Sequence, residues 1–411
     1  MRFSAGVFTH LLAHSALAVD VSGGGNGLGQ FALDKILRDG RDILGGWDGD
    51  SPSSMSTTSY GHGHGYGYNR YARWMAGLPD STPVAHLNIP GTHDAATWNY
   101  TQATQDGLAG ATRCDGTTPN PARAYRCQRT GVLAALEAGI RFFDLRFALD
   151  PLGARLVFWH GPALLSAAAA VDDVLFGFYA WLDAHPAEMV LLSFQYEHGT
   201  RANATSDATV QRMLVDALTS DVAARYVHQG RGVLGTLGEV RGKIVLFRRF
   251  DLDMLPPQFE DAMPGLHMAP GRWIDNSRAF GLVYNDTAAA AGTAFIEDFY
   301  HPDNYTTVEE NIDAKFEAVE THLRLAATEH PDSLFVTFTS GTHVEVNPPV
   351  YPDVMALGSG GALGDMGPPA VRGINHRLLG LLGEMKGRRL GVVVMDFFEE
   401  PSGLVDLLLG F

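Results

Sequence analysis

Short hydrophobic runs recur along this chain from about residue 76 to its end. Several runs are continuous rather than alternating, which is typical of parallel strands covered on both faces. Stretches with helical periodicity separate them. The predicted strands are 85–89, 140–147, 156–159, 189–196, 244–250, 334–339 and 391–397, and the predicted helices are 131–138, 168–184, 208–218, 308–327, 371–385 and 404–411.

Strands and helices alternate over residues 76–411 without an intervening linker. This order predicts an α/β fold with a single domain, a regular or distorted TIM barrel. A doubly wound open sheet is the alternative. It is disfavoured because no G-x-G-x-x-G pattern follows the first predicted strand.

The N-terminal part has a different composition. Residues 1–18 contain one Arg, an apolar middle and an Ala-Leu-Ala ending, which indicates a secretory signal peptide. Residues 19–75 are rich in Gly, Ser and Asp and include GHGHGYGYNRY. We expect this segment to be a mostly disordered leader, with one short amphipathic helix over residues 31–44.

Charge and composition exclude some functions and favour export. The formal net charge of -16 argues against nucleic-acid binding and gives no general attraction to anionic membranes. No apolar run reaches the roughly 18 residues of a membrane span.

Cys114 and Cys127 lie in one polar loop, which fits a single disulfide in an oxidising compartment, with two free thiols as the alternative. Asn-x-Ser/Thr sequons begin at Asn99, Asn203, Asn285 and Asn304.

Titratable side chains follow or end several predicted strands. The carboxyl ends of parallel barrel strands meet at one face, so we expect these side chains to lie together. Asp144 and Arg146 are two residues apart and therefore lie on one side of their strand. The candidate catalytic residues are His93, Asp94, Asp144, Arg146, His160 and Asp396.

This set has the groups needed for phosphodiester chemistry. One histidine can act as general base and the other as general acid, each oriented by a carboxylate. Arg146 offers two parallel donors to phosphate oxygens. Each residue also has a structural interpretation: Asp144 and Arg146 as an ion pair, and His160 as a buried core histidine. Their joint occurrence at successive strand ends favours a site.

Four motifs together resemble a known family. IPGTHDAATW, GIRFFDLRF, FWHGP and VVVMDFF are similar to the X-type catalytic domain of phosphatidylinositol-specific phospholipase C, in its bacterial branch and secreted fungal relatives. The resemblance spans residues 83–398. It implies a phosphodiesterase that acts on phosphatidylinositol or a glycosylphosphatidylinositol anchor during transient contact with a membrane surface.

The resemblance also implies roles for single residues. His93 matches the base that deprotonates the inositol 2-hydroxyl, with Asp396 orienting it. His160, supported by Asp94, matches the acid that protonates the diacylglycerol oxygen. Arg146 matches the phosphate-binding arginine, with Asp144 beside it. Because Arg146 occupies the strand position associated with calcium in the eukaryotic signalling enzymes, we expect no metal and no other cofactor.

The chain departs from the family pattern at the inositol contacts. Gln195 stands about where bacterial relatives supply a lysine. Arg249 and Asp275, and less directly Arg248, match residues that contact inositol hydroxyls. Two alternatives stay open. A catalytically weak lipid- or glycan-binding barrel is compatible with Gln195, and a metal-dependent glycerophosphodiesterase would need an early His-Arg-Gly and a Glu-x-Glu strand end, neither of which is evident.

Overall fold

The computed structural model describes residues 27–46, 69–111, 119–200, 204–287, 292–359 and 370–411. The predicted signal peptide, Cys114 and Asn203 lie outside these residues. The strands are β1 Ile89–Thr92, β2 Phe142–Leu149, β3 Leu156–His160, β4 Ala163–Leu164, β5 Met189–Tyr196, β6 Lys243–Arg249, β7 Leu266–His267, β8 Phe280–Asn285, β9 Gly292–Glu297, β10 Leu334–Phe338, β11 Gly358–Ser359, β12 Val371–Arg372 and β13 Val392–Met395.

Helices alternate with these strands. They are α1 Leu28–Asp39, α2 Arg41–Leu44, α3 Gln102–Gly107, α4 Val132–Glu137, α5 Val171–Ala184, α6 Ala208–Thr219, α7 Asp221–Tyr226, α8 Leu237–Val240, α9 Pro257–Ala262, α10 Val308–Thr328, α11 Pro352–Leu357, α12 Ile374–Glu384 and α13 Leu404–Leu409. Among the described residues, no helix combines the length and the apolar character that a membrane span requires.

The main sheet curls into a nearly closed barrel. Its order is β7-β6-β5-β2-β1-β13-β10-β9-β8, so the first and last strands of the sequence are neighbours. Every pair along this path is parallel except β8 with β9, which is antiparallel. The hairpin strands β3 and β4 extend from β2 in antiparallel pairing. The predicted TIM barrel is confirmed, and the antiparallel β8 is its distortion.

Alternate residues of each strand enter two different cores. Ile89, Phe142, Leu191 and Val392 belong to a cluster drawn from strands all around the ring, which is the barrel interior. Their neighbours in sequence, such as Phe143, pack in a second cluster with the surrounding helices. Because both faces are covered, the strands read as continuous apolar runs.

The first strand differs from its prediction. Residues 84–86 form a 3₁₀ turn, and β1 instead runs through Pro90 and Gly91. Pro90 is tolerated because pairing with β2 begins only at Gly91, opposite Phe142. At Gly91 a Cβ atom would lie 2.9 Å from the Cβ of Phe142, so a side chain there would force the two strands apart. The sequence prediction also missed β7, β8 and β9.

Part of the predicted leader belongs to the packed body. In α2, Ile43 and Leu44 are fully buried in the cluster that covers the outside of the sheet. Met75 is also fully buried, and its N–H donates to Glu188 at 3.1 Å. These contacts correct the boundary predicted at residue 76, because apolar residues on both sides of the Gly-rich stretch supply core contacts.

Candidate active site

The interior-facing positions of the strands change from apolar to polar at their carboxyl ends. Along β2, Phe142 is followed at alternate positions by Asp144 and Arg146, so these side chains point into the barrel mouth. Arg146 lies in register with Gln195 on β5, and Gln195 with Arg249 on β6. A row of polar side chains therefore crosses three neighbouring strands at the same height.

His93, which follows β1, is held in one tautomer. Its Nδ1 lies 2.9 Å from Asp396 Oδ1, and its Nε2 lies 2.7 Å from Nη2 of Arg146. A guanidinium can only donate, so Nε2 must accept, and Nδ1 carries the proton that it donates to Asp396. Burial, and then the charge of Arg146, lower the pKa of His93 well below its ordinary value. The imidazole is therefore neutral, and the electron pair of Nε2 accepts the hydrogen bond from Arg146.

Asp396 follows β13 and is buried. Burial, and then the nearby Asp94 carboxylate, raise the pKa of Asp396 well above its ordinary value. The proton donated by His93 stabilises its ionised form. The backbone around the pair is fixed by Gln128, whose amide donates to the carbonyls of His93 at 2.7 Å and Met395 at 2.9 Å.

His160, at the end of β3, faces His93. The two ring centroids are 6.3 Å apart and the rings are perpendicular. His160 Nδ1 donates to the backbone carbonyl of Tyr125 at 2.8 Å, which leaves Nε2 for a substrate. Burial, and then the charge of Arg146, lower the pKa of His160 to about 4.

Asp94 lies between the two histidines with its backbone in the left-handed region, at φ 41° and ψ 54°. Its Oδ2 is 3.2 Å from His160 Nδ1 and 3.4 Å from Nη1 of Arg146. Neither carboxylate oxygen of Asp94 has a hydrogen-bond partner among the described residues, however, so the Tyr125 carbonyl rather than Asp94 is the hydrogen-bond partner that orients His160. Burial raises the pKa of Asp94 to about 7, against the lowering effect of Arg146.

Arg146 is surrounded by carboxylates. Its Nε lies 3.3 Å from Asp144 Oδ2, and Glu197 Oε1 lies 3.9 Å from its Nη1. Burial lowers the pKa of Arg146. The carboxylates of Asp94, Asp144 and Glu197 raise it by more, so that the pKa lies well above its ordinary value. Glu197 was missed by the sequence interpretation. It also accepts the N–H of Gly161 at 2.6 Å, so it connects β5 to the turn after His160.

The three residues predicted to contact inositol differ in their burial and in their position at the barrel mouth. Arg249 reaches the mouth, with its guanidinium 3.7 Å above the ring of Trp273 and 3.7 Å from Asp144 Oδ1. Gln195 is partly buried, and its Oε1 has no hydrogen-bond partner among the described residues. Asp275 is exposed on the rim and accepts the Tyr300 hydroxyl at 3.2 Å.

Arg248 does not belong to the site, which corrects its assignment. It occupies the opposite face of β6 and donates to Glu260 at 2.8 Å. Alternation along the strand is the reason, since Phe247 lies in the interior core and Arg249 follows it on the same side.

Cys127 lies close to both histidines. Its thiol is within 4.8 Å of ligand atoms of His93 and Asp396, and likewise of Asp94 and His160. Burial, and then the charges of Asp396 and Asp94, raise its pKa well above the ordinary value, which disfavours the thiolate that a metal requires. The structure gives Cys127 as a free buried thiol, and Cys114 lies outside the described residues, so the predicted disulfide is not shown.

Comparisons with known proteins found relatives in sequence and in fold. No family model matches the sequence. The 1-phosphatidylinositol phosphodiesterase of Listeria monocytogenes is 25% identical over 335 residues, which cover 80% of this chain and 82% of that protein. The protein of the same name from Staphylococcus aureus strain Newman is 23% identical over 271 residues, which cover 65% of this chain and 74% of the relative.

The comparison with solved structures also found similar proteins. A pentafluoro-phenylalanine variant of the phosphatidylinositol-specific phospholipase C of Staphylococcus aureus superimposes with a TM-score of 0.59 at 19% identity, covering 83% of this chain and 97% of that one. At this identity the superposition establishes the barrel. In sequence and in fold, the chain is therefore similar to bacterial phosphatidylinositol-specific phospholipases C.

Proposed function

We propose that the chain cleaves the phosphodiester of phosphatidylinositol-type lipids through attack by the inositol 2-hydroxyl. The observation that carries the proposal is the placement of two imidazoles, 6.3 Å apart, beside the guanidinium of Arg146. The names of the bacterial relatives support the substrate class. A glycosylphosphatidylinositol anchor contains the same phosphodiester and is included in the proposal.

The groups divide the reaction between them. His93 Nε2 removes the proton of the inositol 2-hydroxyl, and the oxygen attacks phosphorus. The bond from phosphorus to the glycerol oxygen breaks, and His160 gives its Nε2 proton to that oxygen. The products are an inositol cyclic phosphate and diacylglycerol. Arg146 neutralises charge on the non-bridging oxygens, while Asp396 stabilises His93 as it becomes cationic.

We propose that the reaction needs no metal ion. The Arg146 guanidinium already supplies a fixed positive charge within 3.4 Å of Asp94 and 3.3 Å of Asp144. A divalent cation bound to these carboxylates would have to displace it or tolerate its charge.

Inositol recognition is proposed for the row across β2, β5 and β6. The unpaired Oε1 of Gln195 is positioned to accept a hydrogen bond from a sugar hydroxyl, and Arg249 is positioned to donate one. Asp275 would contribute from the rim. A buried acceptor without a partner is costly in a free protein, so a hydroxyl at this point would add affinity.

The proposed setting is extracellular. The sequence features that support it are the apolar N-terminus of residues 1–18 and the sequons. Asn99 and Asn304 are exposed and accessible to a glycan, whereas the amide of Asn285 donates to the Gly232 carbonyl. A disulfide between Cys114 and Cys127 remains part of this proposal, together with processing near residue 18.

Hydrolysis of labelled phosphatidylinositol by the wild type, His93→Ala and His160→Ala tests the function. Each substitution is expected to lower kcat by about 10²–10⁴, because each removes a general acid or base. His86→Ala is the matched control, since His86 is exposed and pairs with Asp332 before β1. A His93→Ala enzyme that keeps a tenth of the rate would contradict the assignment, and lipid binding without turnover in the wild type would favour the binding barrel.

A further inference from the structure

Two histidines and a glutamate converge on the barrel rim outside the active site. His301 lies in the loop after β9, residues 298–307, and His343 and Glu345 lie in the loop after β10, residues 339–351. One potential ligand atom of each residue lies within 4.8 Å of the other two. Two imidazoles and one carboxylate, with a water as the fourth ligand, form the open type of Zn²⁺ site.

Both imidazoles are oriented through their Nδ1 atoms. His301 Nδ1 bonds to the carboxylate of Asp303, and His343 Nδ1 lies 2.8 Å from Oδ1 of the buried Asn311. Histidines that bind a metal through Nε2 characteristically use Nδ1 in this way. The rings are 4.5 Å apart between centroids, and His301 Nε2 lies 3.1 Å from Glu345 Oε2. A metal ion would replace the proton that this last hydrogen bond requires.

The backbone that carries the two histidines is also fixed. The N–H of His301 donates to Asn276 Oδ1, and the amide of Asn276 donates back to the His301 carbonyl, both at 2.8 Å. His343 exchanges two backbone hydrogen bonds with Val350, at 2.7 and 3.0 Å. The imidazoles therefore need little reorganisation to bind an ion. The Glu345 side chain, 67% exposed, leaves access from solvent and freedom to adjust.

We propose that His301, His343 and Glu345 bind one transition-metal ion of the Zn²⁺ class, which ties the loop after β9 to the loop after β10. The loops already touch through the N–H of Thr342, which donates to the Tyr300 carbonyl at 2.8 Å. The ion connects the two loops and takes no part in the phosphodiester chemistry. It stabilises the loop that carries Tyr300, and so the wall of the mouth.

Zinc titration of the full chain tests the proposal. His62 and His64 of the Gly-rich leader are replaced by Ala in every variant, because alternating histidines bind metals weakly. We expect calorimetry to find one more Zn²⁺ equivalent in this background than in the same background with His343→Asn. Asparagine retains an oxygen and a donor near the Nδ1 position but removes Nε2. Co²⁺ should give visible absorption bands in the first protein and not in the second.

Two further variants guard against misfolding and check the ligand set. Glu345→Gln changes an exposed residue and is expected to weaken Zn²⁺ binding by at least about 10-fold, and Asp303→Asn by about 10–100-fold. His86→Asn, which alters an exposed His-Asp pair elsewhere, should bind as the background does. Zn²⁺ should also raise the Tm of the background but not of His343→Asn. Equal stoichiometry and equal Tm shifts in the background, His343→Asn and Glu345→Gln would overturn the proposal.

Discussion

Replacement of Asp94 by asparagine tests how the general acid obtains its proton. In the folded protein His160 has a pKa of about 4, so at pH 7 only about one molecule in 10³ carries the acidic proton on His160. Asp94, 3.2 Å from His160 Nδ1, has a pKa of about 7. We therefore expect the pair to take up one proton near neutrality, because the two groups are in contact. The donating form is a cationic His160 beside an ionised Asp94.

The size of the effect follows from these two values. The pair of His160 and Asp94 must hold its proton for His160 to act as the acid. The wild-type rate is therefore present below pH 7 and is lost as the pH rises through about 7. Without the carboxylate only His160 can take up the proton, so the alkaline limb should move toward the pKa of His160, about three pH units lower. A stronger acid transfers its proton faster, which offsets part of the loss, so we expect kcat/KM at pH 7 to fall by about 10–10².

The assay is kcat/KM for phosphatidylinositol between pH 4 and 9 for the wild type and Asp94→Asn. Asp332→Asn, which alters an exposed partner of His86, is the control and should show the wild-type profile. Near-ultraviolet circular dichroism checks that the variants are folded. An Asp94→Asn profile with its alkaline limb still near pH 7 would refute the shared proton, even if the overall rate fell.

Two other predictions concern the metal and the stability of the barrel. In excess EGTA the enzyme should keep its phosphodiesterase rate, because Arg146 supplies the cationic charge; activity lost on chelation and restored by calcium would show a metal mechanism. In the wild type, Glu188 is buried and lies 2.8 Å from Arg141 Nη2. Arg141→Met should lower the free energy of unfolding by about 3–5 kcal/mol, because it leaves the Glu188 carboxylate buried without this partner. Urea denaturation measures this loss, and Arg141→Met/Glu188→Gln should recover part of it.

Residues at strand ends could be predicted from the sequence because a parallel barrel brings all these ends to one face. His93, Arg146 and Asp396 are far apart in sequence, but His93 lies within hydrogen-bond distance of both of the others. The partner of His160 could not be predicted in the same way. It is the Tyr125 carbonyl, which every residue type has and no sequence pattern marks. Glu197 could have been found, since it directly follows the strand predicted over residues 189–196.

Strand alternation also explains why two adjacent arginines differ. Val245 and Phe247 face the barrel interior, so the next residue on that side is Arg249, and Arg248 must point outward to Glu260. The sequence shows that alternate residues of this strand share a face. It does not show which of the two faces is interior, because a continuous apolar run looks the same from both sides. One residue known to be interior is needed to assign the faces. No such residue was needed for Asp144 and Arg146, since residues two apart in a strand share a face, whether it is interior or exterior.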